Sequence, residues 1–123
     1  MKNKAVEYYK SGCSCSESII KTAIEEGLCP KEFFGAATAF SGGMSSGCVC
    51  GTVAAAQMIA GFNQPENARA LAKQIVDEFK TRNKVTCCRV LNKGLQGAER
   101  KAHCSKFVVD ACEILEEVLK VRV

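Results

Sequence analysis

The chain has no tryptophan, one histidine (His103) and two prolines (Pro30 and Pro65). A single histidine excludes zinc sites built on histidine pairs, and no Cys-x-x-Cys-His run is present for covalent haem attachment. No stretch approaches the ~18 apolar residues of a membrane span, so no membrane segment is expected. The first residues, Met1 to Tyr9, carry charges and lack the apolar core of a secretory leader, which predicts a cytoplasmic chain. Lysines and arginines exceed acids by a net charge of +4 and are scattered, not gathered in a block. Nucleic-acid binding, which needs a concentrated basic face, is therefore not expected. Gly42-Gly43-x-x-x-Gly47 lacks both the lysine and the preceding strand of a phosphate loop.

What is abundant is cysteine: nine in 123 residues. In a reducing cytoplasm such a density points to metal binding or redox chemistry rather than to structural disulfides, and an odd count also argues against a complete disulfide framework. The length predicts one domain over residues 1–123, long enough to bury a core without cross-links.

Periodicity predicts an all-α fold, a compact irregular bundle of about five substantial helices around a Gly/Cys-rich loop. A short helix is expected over Lys4 to Lys10. The next, Glu17 to Gly27, shows Ile19, Ile20, Ala23 and Ile24 on one face, with Ser14 or Ser16 as N-cap. Further helices are expected over Lys31 to Phe40, Val49 to Phe62, Pro65 to about Thr81 and Arg100 to Val121. Cys87 to Leu91 reads as one helical turn and Asn92 to Glu99 as a surface loop. Alternating strand patterns are absent.

The organising stretch runs from Phe40 to Gly51, twelve residues with four glycines, three serines and two cysteines, followed at once by an apolar helix. Helix N-termini lower thiol pKa and offer free N–H groups to anionic sulfur. Four cysteines stand out by position. Cys15 and Cys50 start helices on their inward stripes, Cys88 lies in a short irregular segment, and Cys104 faces inward at the start of the last helix. Four thiolates from four elements suit a Cys₄ site for an iron–sulfur cluster or zinc. The alternatives are a metal-free thiol–disulfide protein, with Cys50 attacking and Cys48 or Cys88 resolving, and a zinc-stabilised interaction module with no redox role. Cys13, Cys48 and Cys87, each beside one of the four, are auxiliary candidates. Cys29 and Cys112 read as small buried hydrophobes, and His103 as an exposed or capping residue.

The spacing resembles that of the C_GCAxxG_C_C family, small bacterial and archaeal proteins described as redox-active. Cys15-Ser16-Glu17-Ser18 matches its first cysteine and Cys50-Gly51-Thr52-Val53-Ala54-Ala55 its central block. Cys88-Arg89-Val90-Leu91 matches its third cysteine, and His103-Cys104-x-x-Phe107-Val108 its fourth. Threonine stands where alanine is common in the block, and Ala55 where the final glycine is common. The family is also similar to a domain of split-Soret cytochromes, which implies an iron–sulfur cluster held by Cys15, Cys50, Cys88 and Cys104 and a role in electron transfer. A redox partner protein follows from that role, and a homodimer is compatible with it.

Overall fold

The computed structural model describes residues 1–120. Seven α-helices follow one another: α1 (Lys2–Lys10), α2 (Cys15–Glu25), α3 (Phe33–Thr38), α4 (Gly51–Asn63), α5 (Ala68–Asn83), α6 (Cys88–Leu91) and α7 (Gly97–Leu119). No strand forms among the described residues; the extended backbone at Val49 and Cys87 makes one isolated antiparallel bridge. The fold is all-α, and α1, α2, α4, α5 and α7 are its substantial helices.

Helix α4 is the centre. Its sequence is small and apolar on every side, so it is buried nearly all round, with Val53, Ala55, Ala56, Ile59 and Ala60 fully enclosed. Helices α2, α5 and α7 pack against it, and α1 bridges α2 and α7. The alanines let these neighbours come close, and their larger side chains fill the space: Ile19 and Ile20 from α2, Ile75 and Phe79 from α5, Val108, Ile114 and Leu115 from α7. Each such side chain contributes about 1.5–3 kcal/mol by leaving water. Cys29 and Cys112 are buried in the same core, Cys112 completely, as their apolar surroundings predict. Asp110 is the charged residue most enclosed near the surface, held by Arg82, Lys106 and Asn83, each 3.1 Å from its carboxylate.

The expected boundaries shift by a few residues. Helix α2 starts at Cys15 because Ser14 is the N-cap: its Oγ accepts from the Glu17 N–H at 3.2 Å, and the Glu17 carboxylate accepts from the Ser14 N–H at 2.9 Å. This reciprocal pair is a capping box. Pro65 opens a 3₁₀ turn, Pro65–Asn67, rather than α5 itself. The loop expected over Asn92 to Glu99 is corrected: α7 begins at Gly97, so Cys104 lies about two turns inside it, and Asn92 is buried, not on the surface. The far end expected at Val121 lies outside the described residues.

Between α3 and α4 the chain makes a π-type turn, Gly43–Gly47, with left-handed backbone at Gly42, Gly43, Met44 and Ser45 in succession. Left-handed backbone costs a residue with a side chain roughly 1–2 kcal/mol. Met44 and Ser45 both adopt it at the rim of the cysteine-bearing region. At Gly43 no other residue fits, since a Cβ there would sit 2.6 Å from the Cys88 Cβ and 2.7 Å from the Cys48 amide nitrogen.

Candidate functional site

The segment after this turn places the first thiol. Cys50 is the N-cap of α4, and its own N–H is anchored to the Thr86 carbonyl at 2.8 Å. The sulfur thus faces the free amides of the first helical turn. The Thr52 hydroxyl lies 3.1 Å from it, and the Val53 N–H donates to the Cys50 carbonyl at 3.0 Å. Cys15, the first residue of α2, reaches the same point from the other side. Gly51 makes room for it: a Cβ at Gly51 would lie 3.0 Å from the Cys15 sulfur.

These two thiols act on each other's ionisation. Cys15 donates to the Cys50 sulfur, which pulls the Cys50 thiol down to about 6 against the opposing effect of burial, with Thr52 assisting. The same hydrogen bond, then burial, pushes the Cys15 thiol far up. The pair thus favours the thiolate form at Cys50, at the helix start, and the thiol form at Cys15.

Cys88 and Cys104 complete the cluster. Cys88 opens α6, and its sulfur accepts from Arg100 Nη2 at 3.3 Å and Asn92 Nδ2 at 3.6 Å. The Cys104 thiol donates to Asn92 Oδ1 at 3.2 Å, and Tyr9 lines the cleft beside it. Burial raises the Cys104 thiol, and the nearby Cys50 raises it further. Asn92 is thus a bracket between the two sulfurs, fixed by a third bond to the Cys88 carbonyl at 3.0 Å.

Cys15, Cys50, Cys88 and Cys104 all wall one cleft of about 360 Å³, which also touches Tyr9 and Arg100. Of the auxiliary candidates, Cys13 lines the cleft. Cys48 and Cys87 do not: Cys48 is exposed, and the Cys87 thiol turns to the Gly47 carbonyl at 3.4 Å. Of the thiols expected beside Cys50, Cys88 shares its cleft, as does Cys15, while Cys48 lies outside it. His103 is exposed, its Nε2 3.1 Å from the Leu91 carbonyl at the end of α6, in the capping role expected of it. Sequence reasoning missed Tyr9, Thr52, Asn92 and Arg100. Two of them carry a helical signal, Asn92 four residues after Cys88 and Arg100 four before Cys104.

The four thiols make a soft donor set, chemically suited to an iron–sulfur cluster or zinc, with Cys13 and Glu17 also on the cleft wall. Among the described residues no group of three His, Cys, Asp or Glu side chains is gathered closely enough to hold a single metal ion. A tetrahedral zinc ion draws each sulfur to about 2.3 Å, whereas a cluster spans a wider opening. No helix among the described residues is long and apolar enough to cross a membrane.

No curated protein and no solved structure matches the chain. Residues 13–118 match the family described as "Putative redox-active protein (C_GCAxxG_C_C)". That span contains every cysteine of the cleft, and the chain belongs to the C_GCAxxG_C_C family of redox-active proteins.

Proposed function

We propose that the protein is an electron carrier that binds one iron–sulfur cluster through Cys15, Cys50, Cys88 and Cys104. The observation that carries this reading is the convergence of four thiols, from four separate helices, on one cleft. The cluster would supply one-electron chemistry, and the protein's residues would hold and tune it. The Cys50 sulfur meets the start of α4, where helix amides favour a thiolate. Arg100 and Asn92 donate to the Cys88 sulfur. Such hydrogen bonds and positive charge stabilise the more negative, reduced state and so raise a potential. The redox partner would be a protein that docks at the mouth of the cleft.

The test is reconstitution with ferrous iron and sulfide under argon. Serine variants of Cys15, Cys50, Cys88 and Cys104 should each lose most of the bound iron, while Cys48→Ser and Cys87→Ser keep it. Equal loss from all six variants, or from none, would rule the ligand set out.

One observation favours a second reading. Cys15 and Cys50 line the same cleft where Gly51 leaves room beside the Cys15 sulfur, and Cys50 is shifted toward its thiolate, the form that disulfide exchange uses. The Cys50 thiolate would attack a partner disulfide, and Cys15 would then displace the mixed disulfide, leaving a Cys15–Cys50 bond and a reduced partner. Disulfide mapping after oxidation of the metal-free protein separates the readings: a reversible Cys15–Cys50 bond in a chain that takes up no iron supports exchange.

A further inference from the structure

Beside the cysteine cleft lies a second cavity, of about 310 Å³, formed where the π-type turn meets α6, the α6–α7 loop and the first turn of α7. Gly47, Arg89, Lys93 and Gly94 line it, with Cys88, Asn92 and Arg100 shared between the two cavities. Three cations converge there and no carboxylate is among its walls. Five basic residues elsewhere, Lys2, Lys4, Lys73, Arg82 and Lys106, pair with an Asp or Glu. Among the described residues neither Arg89, Lys93 nor Arg100 does so.

Counter-charge for the thiolates would explain Arg100, which touches the Cys88 sulfur. It does not explain Arg89 and Lys93, which line the second cavity and not the cysteine cleft. Arg89 is also held in place. Its Nη2 donates to the Ser46 carbonyl at 3.1 Å, and a Cβ at Gly47 would come within 3.1 Å of its Nε. A side chain at Gly47 would thus crowd the guanidinium off the turn. Planar guanidinium forks beside a mobile ammonium match the geometry of an oxyanion with more than one charge. The volume is at the lower end for ligand sites and fits a compact group.

We infer that this cavity binds a phosphate-class oxyanion through Arg89, Lys93 and Arg100. The inference shares Arg100 with the cluster reading but rests on Arg89 and Lys93, which take no part in it. The test is calorimetric titration of the full chain, purified under argon, at constant ionic strength set with chloride. Inorganic phosphate and glycerol phosphate are titrated separately. Tighter binding of the free ion assigns the cavity to phosphate itself, tighter binding of the monoester to a phosphorylated small molecule, and both support the site. Lys93→Ala and Arg89→Ala should each weaken binding about tenfold or more, the scale of a lost charge-assisted hydrogen bond. Lys31→Ala, exposed and away from the cavity, should bind as the parent does. Absence of saturable heat with either probe, or equal affinity in all four proteins, would overturn the assignment.

Discussion

Replacing Gly51 by alanine tests how the cysteine site is packed, because two opposing effects can be weighed there. Alanine is favoured over glycine in a helix by up to about 1 kcal/mol, and it also restricts the unfolded chain. Against this, the new Cβ would lie 3.0 Å from the Cys15 sulfur, 3.0 Å from the Phe40 carbonyl oxygen and 3.2 Å from the Ser16 Cβ. None of these yields easily. Cys15 and Ser16 form the first turn of α2, and the Ser16 hydroxyl is tied to the Ala37 carbonyl at 2.7 Å. Overpacking of this kind costs typically 1–3 kcal/mol. The net expectation is a loss of about 1 kcal/mol, which lowers a urea midpoint by roughly 0.5 M at an unchanged slope. Gly61, in the same helix, is the control. A Cβ there meets only Ala68 Cβ at 3.6 Å, an ordinary contact, so Gly61→Ala should stabilise by roughly 0.5–1 kcal/mol. Urea unfolding of the two variants under reducing conditions reads both signs. If Gly51→Ala stabilises as much as Gly61→Ala, then α2 does not press Cys15 onto the start of α4 and the packing argument fails.

Three further outcomes follow from the same structure. The Ser14 amide and the Thr38 hydroxyl hold the Glu17 carboxyl below its usual range. A depressed folded pKa contributes stability above the unfolded value of about 4.3, lost as pH falls through the lower folded one. Urea midpoints of the parent should therefore drop more steeply below about pH 4.3 than those of Glu17→Gln; parallel curves would show that the capping carboxylate is not what titrates. Phe79→Ala removes a fully buried ring that packs on Phe107 with centroids 5.8 Å apart. Calorimetry should report a loss of about 3–5 kcal/mol, and under about 1 kcal/mol would mean α5 is not part of the core. Asn92→Ala strips the bracket from Cys88 and Cys104. About 1–3 kcal/mol should be lost, as buried polar groups go unpaired, and reconstituted iron should be released faster to a chelator; unchanged release would deny Asn92 any role at the site.

The larger helices were legible in the sequence by their apolar faces, and α2 by its start as well. Ile19, Ile20 and Ala23 mark the inner face of α2, and Ser14 with Glu17 marks its start. Cys15 and Cys50 could be picked out for the same reason, since helix starts are readable and the stripe shows which thiol turns inward. The left-handed course through Met44 and Ser45 was not legible, because neither residue type favours it. It is imposed by the tight seat of Gly43 against Cys88 and Cys48, a contact made across distant parts of the chain. The early start of α7 was hidden by Gly94 and Gly97, which read as loop residues although Gly97 opens the helix. Asn92 was hidden by its polarity: it is buried because two cysteines supply its partners, and that depends on α6 and α7 meeting. The pairing of Cys50 with Cys15 rather than Cys48 has the same origin, in the way α2 crosses the start of α4.

The most direct test of the account is the metal content of the protein purified without oxygen, read together with its visible spectrum. The cluster reading predicts a brown protein with iron and acid-labile sulfide in matching amounts, both lost in Cys50→Ser. A colourless protein that takes up neither, even after anaerobic reconstitution with iron and sulfide, would contradict it and leave the Cys15–Cys50 thiol pair as the seat of the redox chemistry.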